Sequence, residues 1–265
     1  MTAINVLQGK CALITGSTQG LGLTAAKRFA AAGCNVIIHG LADEREMDAL
    51  RADIEKQYGV RTMYCGENLA QTLEIERMIG TILDTFGVID ILVNNAVARY
   101  AAPVEQFPAG EWDLAIAVNL SAAFHTIRLA LPAMRKRNWG RIINVSSIYG
   151  LKATTNRISY VTTKTALIGM TRAIALETRD QDITCNAVCP GTVETPVHIK
   201  RIEDMMKSES LTREEAEQRF LATKQPGGRF ITTEDVSAMM LFLCGPESRD
   251  ITGAALPIDG GWSIA

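Results

Sequence analysis

Seven short runs of apolar and β-branched residues recur along the chain, at 11–15, 35–39, 61–65, 89–94, 141–146, 183–188 and 254–258. Between them lie longer segments of helical periodicity, at 21–32, 43–58, 73–86, 111–137, 159–179 and 233–243. The short runs do not alternate apolar with polar, so each is expected to be covered on both faces. Strands of that kind, separated by helices, form a parallel sheet, and right-handed crossovers wind it doubly. The expected fold class is α/β, a doubly wound, Rossmann-like parallel sheet. No repeat, linker or low-complexity stretch interrupts the 265 residues, so a single domain over 1–265 is expected. Apolar residues make up 47% of the chain, enough to cover both faces of such a sheet.

The formal net charge of −2 supplies no field that would draw the protein to nucleic acid or to an anionic membrane. The apolar runs are too short to span a bilayer, and the first residues lack the charged-then-apolar-then-small order of a secretory signal. Six cysteines are scattered with no CxxC pair, and there are three histidines, so no zinc site is expected. The cysteines fall mostly in strand-like stretches, which fits buried, reduced thiols in a cytoplasmic protein.

One segment breaks the strand–helix rhythm. Residues 191–229 are long, polar and charged, and Thr212-Arg-Glu-Glu215 reads as a capping box opening a short helix. Insertions of this length near strand ends often cover a substrate, and a lid is the expected role. An oligomer contact or a surface elaboration is the alternative.

The run Thr15-Gly16-Ser17-Thr18-Gln19-Gly20-Leu21-Gly22 joins the first strand to the first helix. Its glycines allow a tight turn and a close backbone approach to a pyrophosphate, whose charge meets the helix N-terminus. The spacing is GxxxGxG rather than GxGxxG, so it is the strand–turn–helix setting that points to a dinucleotide. The second strand ends in His39-Gly40-Leu41-Ala42-Asp43, where a 2′-phosphate would need a cation. Gly40, Leu41 and Gln19 are not basic, and Arg45 falls on the next helix, so NAD is expected over NADP. Asn68 and Leu69, after the third strand, are expected near the adenine.

Ser159-Tyr-Val-Thr-Thr-Lys164 opens a helix, on which positions i and i+4 share a face. A lone tyrosine, with a pKa of about 10, is a poor base at neutral pH. A neighbouring ammonium favours the phenolate and brings Tyr160 into range for proton transfer. Ser146 and Ser147 end the preceding strand and point to opposite faces, so one of them is expected to meet a reacting oxygen. Asn119 is a polar residue between Val118 and Leu120 in the long 111–137 segment, suited to holding a water or making a structural hydrogen bond.

Taken together, Thr15-Gly-x-x-x-Gly-x-Gly22, Asn94-Asn95-Ala96, Asn119, Ser147, Tyr160-x-x-x-Lys164, Pro190-Gly191 and Thr195-Pro196 resemble the short-chain dehydrogenase/reductase family over nearly the whole chain. The resemblance implies Tyr160 as acid/base, Ser147 as the residue orienting the substrate oxygen, and Lys164 lowering the tyrosine pKa while holding the nicotinamide ribose. It implies a water relay at Asn119. It places the cofactor against Gly16 to Gly22, Asn68, Leu69, Asn95, Ala96, Tyr160, Lys164, Pro190, Gly191, Val193 and Thr195. It also implies a homotetramer built through the helices that carry Asn119 and Tyr160, with the apolar tail 260–265 docked against a neighbour.

Within the family, the sequences around 89–95, 186–191, 224–226 and 258–262 resemble the NAD-dependent 3-hydroxybutyrate dehydrogenases, bacterial and cytosolic type 2. The bacterial enzymes hold the substrate carboxylate with Gln, His, Lys and Gln, where this chain has Arg99, Tyr149, Arg157 and Arg201; Arg157, Arg201 and Arg229 are similar to the type 2 branch. Val97 also stands where the family has glycine. The resemblance thus implies an NAD-linked dehydrogenase of a small anionic hydroxy acid like 3-hydroxybutyrate. The expected substrate contacts are Arg99, Ser147, Tyr149, Arg157, Tyr160 and Arg201. The added guanidiniums suit carboxylate, sulfonate or phosphate, so a larger or more strongly anionic substrate is a second expectation. A dinucleotide-binding sensor or scaffold is the non-enzymatic alternative.

Overall fold

The computed structural model describes residues 6–265. Seven strands, β1 (Cys11–Ile14), β2 (Asn35–His39), β3 (Thr62–Cys65), β4 (Ile91–Asn94), β5 (Trp139–Val145), β6 (Asp182–Pro190) and β7 (Ala255–Ile258), form one sheet in the order β3-β2-β1-β4-β5-β6-β7. Every pairing is parallel. The doubly wound parallel sheet expected from the apolar runs is therefore present. The order reverses direction between β1 and β4, and at that switch point the strand tips leave a crevice.

Side chains alternate along each central strand and feed two cores. Ala12, Ile14, Val36 and Ile38 join Phe29 of α1 (Gly20–Ala31) and Val236 and Met240 of α9 (Thr233–Phe242) on one face. Leu13, Ile37, Leu92 and Ile142 join Ile75 and Ile79 of α3 (Thr72–Phe86) and Met134 of α5 (Ala122–Arg137) on the other. Both faces are dry, which explains why the strands read as unbroken apolar runs. The remaining outer helix near β2 is α2 (Glu44–Tyr58), begun by Asp43, whose carboxylate accepts from the backbone N–H groups of Arg45 and Glu46.

The expected helix over 111–137 differs. It is α4 (Ala109–Ile116), a π-turn at Ala117–Ser121, then α5. A widened turn cannot be read from apolar periodicity; it is sustained here by Asn119, whose amide bonds backbone outside the helix. The stretch Ala109–Arg137 is also long and apolar enough, by length and composition alone, to cross a membrane, so the expectation that every apolar run is too short fails there. In the fold this stretch lies beside the sheet. Thr126 donates to Asn94 Oδ1 at 2.8 Å, Asn94 donates to Asn144 Oδ1 at 2.9 Å, and Asn144 donates to Thr171 of α6 (Ile158–Glu177) at 2.9 Å. That buried polar ladder locks α5 and α6 to the tips of β4 and β5, beside the crevice.

Residues 191–229 fold into α7 (Pro196–Glu209) and α8 (Arg213–Leu221), the latter opened by the expected Thr212–Glu215 capping box. The two helices share a small core of Ile202, Ala216, Phe220 and Leu221. His198 and the rings of Phe220 and Phe230 pack together, with centroids 5.7 to 6.4 Å apart. Gln225 ties the end of the segment back to the strand side, accepting from Thr192 N and donating to Arg229 O. All six cysteines are buried and unpaired, as expected.

Candidate active site

Two cavities meet at the strand tips. The larger, about 520 Å³, runs from the β2 and β3 tips past the glycine turn to Tyr160 and Lys164. Its lining includes Gly16, Thr18, Gln19, Gly20, Leu21, Gly22, Asn68, Leu69, Asn95, Ala96, Pro190, Gly191, Val193 and Thr195. Ser17 is the exception among the expected cofactor contacts. It is fully buried, its hydroxyl donating to Ile14 O at 2.7 Å and accepting from His39 N at 3.0 Å. It shapes the turn rather than lining the cleft.

The glycine turn fits a dinucleotide on three independent counts. A Cβ on Gly16 would sit 2.8 Å from Ala96 Cα, and one on Gly22 would sit 2.2 Å from Gly16 O, so only glycine allows the turn to close this tightly. Asn95 Nδ2 donates to Thr15 O and Gly16 O, both at 2.9 Å, and stitches the turn to the β4 tip. The N-terminus of α1 has no side-chain cap and no acidic residue in its first turn, leaving its N–H groups open to an anion.

His39 belongs to this frame too, although no motif marks it. Gly16 N donates to its Nδ1 at 3.2 Å, and its Nε2 donates to Glu67 O at 3.0 Å. Burial pushes its pKa down, which keeps the ring neutral and able to accept from Gly16. The partner residues follow different strands, so only the sheet order brings them together.

At the reacting end, Tyr160 and Lys164 occupy one face of α6, with Lys164 Nζ 5.7 Å from the centre of the Tyr160 ring. Lys164 is buried and donates to Val145 O at 2.6 Å. Burial, and secondarily the Arg99 charge, push its pKa down to about 7. The two serines lie just past β5, both line the larger cavity, and they differ in their bonds. Ser146 is consumed by a bond to Lys164 O at 2.7 Å, while Ser147 lines both cavities and accepts from Tyr149 N at 3.1 Å. Asn119 is buried behind them. Its Oδ1 accepts from Ala98 N at 2.7 Å, and its Nδ2 donates to Ala98 O at 3.0 Å and Thr163 Oγ1 at 3.3 Å. Its side-chain amide is thus committed to protein groups and is not free to hold a water by both hydrogens.

The smaller cavity, about 240 Å³, is lined by all six expected substrate contacts, Arg99, Ser147, Tyr149, Arg157, Tyr160 and Arg201. Arg229 is exposed and does not line it. Three residues not among the expected substrate contacts also face it: His198, which no motif marked, and Lys224 and Trp262, which lie in the stretches 224–226 and 258–262. Lys224 Nζ lies 3.6 Å from the centre of the Phe220 ring, and Trp262 meets Tyr149 edge-on at 5.3 Å. The tail expected to dock on a neighbour therefore lays Trp262 against its own chain, although Ile264 remains 90% exposed. The resemblance at 224–226 marked the stretch that holds Lys224, but nothing local marked the direction of its side chain. Among the described residues, no group of three or more metal-ligating side chains occurs.

Arg99, Ser147, Tyr160, Gly191 and His198 line both cavities. A phenol, a hydroxyl and a buried lysine thus stand where a long phosphate-accepting cleft opens into a cationic chamber. That arrangement can hold a nucleotide beside an anionic alcohol or ketone.

A family model described as enoyl-(acyl carrier protein) reductase matches residues 16–263. The chain is 43% identical to D-beta-hydroxybutyrate dehydrogenase of Cupriavidus necator, over 97% of this chain and 99% of that one. It is 39% identical to the enzyme of the same name from Rhizobium meliloti, over 96% and 98% of the two chains. Among solved structures, L-sorbose reductase from Gluconobacter frateurii, complexed with NADPH and L-sorbose, superposes with a TM-score of 0.93 at 26% identity over all of both chains. With identity of this degree over nearly the whole chain, a doubly wound parallel sheet and a glycine turn built for a nucleotide, the chain belongs to the short-chain dehydrogenase/reductase family of oxidoreductases.

Proposed function

We propose that the protein is an NAD-dependent dehydrogenase of a small anionic hydroxy acid resembling 3-hydroxybutyrate. The observation that carries this reading is the junction of the two cavities at Ser147 and Tyr160, with cations on the far wall. The names of the relatives at 43% and 39% identity support the hydroxy acid. NAD, when bound, supplies the hydride acceptor. Tyr160 exchanges the carbinol proton, Ser147 orients the substrate oxygen, and Lys164, in its protonated form, favours the phenolate and holds the nicotinamide ribose. Residues 191–229 act as the cover over the bound substrate, since Arg201 of α7 and Lys224, beyond the end of α8, stand in its cationic wall.

NAD is favoured over NADP by the far end of the cleft. Its lining there is His39, Gly40, Leu41, Glu67, Asn68 and Leu69, with no lysine or arginine to meet a 2′-phosphate. Six buried, unpaired thiols suit a cytoplasmic setting.

The test is NADH formation from 3-hydroxybutyrate by the full chain. Arg157→Ala and Arg201→Ala are each expected to raise KM roughly ten- to hundredfold, the worth of one charge-assisted hydrogen bond, with kcat little changed. KM values unmoved in both variants would refute the cationic chamber as the substrate site.

We also propose a homotetramer. A groove of about 320 Å³ between α5 and α6 is lined by Phe124, Ile127, Leu131, Met170 and Ile174, and Phe124 and Leu176 are 49% and 66% exposed beside it. Light scattering is expected to give about four times the 28.8 kDa chain mass, and a monomer mass at micromolar concentration would end the idea.

A further inference from the structure

The smaller cavity holds more positive charge than one carboxylate can use. Arg99, Arg157, Arg201 and Lys224 all line it. Among the described residues none of the four lies within 4.0 Å of a carboxylate, whereas other surface cations such as Arg128 and Arg213 do. The whole chain has a formal charge of −2, so the cluster is not the overflow of a basic protein. Burial, then Arg201 and Arg157, push the Lys224 pKa down to about 8. His198 beside them is pushed down by burial and by Arg99, Lys224 and Arg201, against the raising effect of its bond to Val193 O.

Acceptor counting shows what is missing. A carboxylate presents roughly four lone-pair sites, and one bidentate guanidinium occupies two of them. A single carboxylate therefore saturates with about two forks, leaving the other cations uncompensated in a partly desolvated chamber. The cations stand on different elements: Arg99 after β4, Arg157 before α6, Arg201 on α7 and Lys224 after α8. Arg99 lies at the reacting end, its guanidinium carbon 5.4 Å from the centre of the Tyr160 ring. Arg201 and Lys224 flank the Phe220 ring on the helical cover, at 5.3 and 3.6 Å from its centre.

We propose that the substrate carries two anionic groups, as in a hydroxy-dicarboxylate, with one carboxylate at Arg99 beside the carbinol carbon and the second held by Arg201 and Lys224. The inference rests on the dehydrogenase reading and specifies its substrate class. It adds no chemical step: the carbinol carbon is still oxidised to a ketone, its hydride passing to nicotinamide and its hydroxyl proton to Tyr160.

Unreactive probes separate the two ideas. Glutarate and butyrate are titrated calorimetrically into the full-length protein saturated with NAD, in low salt. Glutarate is expected to bind at least tenfold more tightly, and Lys224→Met to erase most of that advantage. In parallel, 3-hydroxyglutarate and 3-hydroxybutyrate are compared by NADH formation, with the diacid expected to have at least tenfold higher kcat/KM. Equal affinity for glutarate and butyrate overturns the two-anion site, even if 3-hydroxybutyrate is oxidised well. Preferential glutarate binding with neither hydroxy acid oxidised leaves the two-anion site standing and overturns the dehydrogenase reading. An advantage that survives Lys224→Met and Arg201→Gln alike also overturns the assignment.

Discussion

Tyr160→Phe is expected to lower NADH formation by roughly 10²- to 10⁴-fold, the usual worth of a positioned general acid–base group. The substitution removes one oxygen and keeps the ring. That ring packs edge-on against Tyr149 at 6.4 Å, with Arg99 and Lys164 over it at 5.4 and 5.7 Å, and all three contacts survive in phenylalanine. Dinucleotide affinity is therefore expected to stay within a few-fold, and the melting temperature within a few degrees. This split between chemistry and binding separates an enzyme from a sensor or scaffold that kept the fold. Turnover within tenfold of the wild type would remove Tyr160 from the reaction, and with it the proton-transfer role assigned to this helix.

Gly22→Ala is expected to be nearly as severe by a different route. The new methyl would lie 2.2 Å from Gly16 O, 2.7 Å from Asn95 Nδ2 and 2.8 Å from Ser17 Cα. Two of those three atoms are backbone, and the amide is already engaged with Thr15 O and Gly16 O, so nothing nearby can move cheaply. The turn must open, at a cost on the order of 3 kcal/mol, the range of severe overpacking. Opening it also withdraws the backbone from the phosphates. Dinucleotide affinity, measured by NADH fluorescence, is expected to fall at least a hundredfold. Gly80→Ala is the control: it lies within α3, and its new methyl would meet nothing within 4 Å, so helix propensity makes it neutral or stabilising. If Gly22→Ala binds NADH normally, the cleft assigned to the dinucleotide is wrong.

The central strands were legible because burial on both faces leaves a local signature, and the half-buried edge strand β7 still reads as an apolar run. The runs at 35–39 and 254–258 fall on β2 and β7 to within a residue, and the run at 183–188 extends to Asp182–Pro190 because pairing with β5 and β7 continues past its apolar centre. The break in the 111–137 helix was not legible. A π-turn changes hydrogen bonding without changing residue type, and its reason, the bond from Asn119 to Ala98, joins segments that are separate in sequence.

The site divides in the same way. The glycine turn and the Tyr160–Lys164 spacing are short motifs whose geometry is local: a turn between a strand and a helix, and one face of one helix. Their positions follow from the sequence alone, whereas Ser146 and Ser147, both just past β5, differ only in their bonds. The sequence also placed arginines at 99, 157 and 201 and a resembling stretch at 224–226, but not the direction in which the Lys224 and His198 side chains face, nor that Arg229 would stay outside. Those outcomes depend on how α7 and α8 fold back over the strand tips, through the Phe220–Phe230–His198 packing and the Gln225 bonds to Thr192 and Arg229. Periodicity and spacing act within one element and can be read along the chain. Electrostatic crowding in the chamber arises between elements that meet only after the sheet has ordered them, so the tertiary structure alone decided how much charge the substrate has to answer.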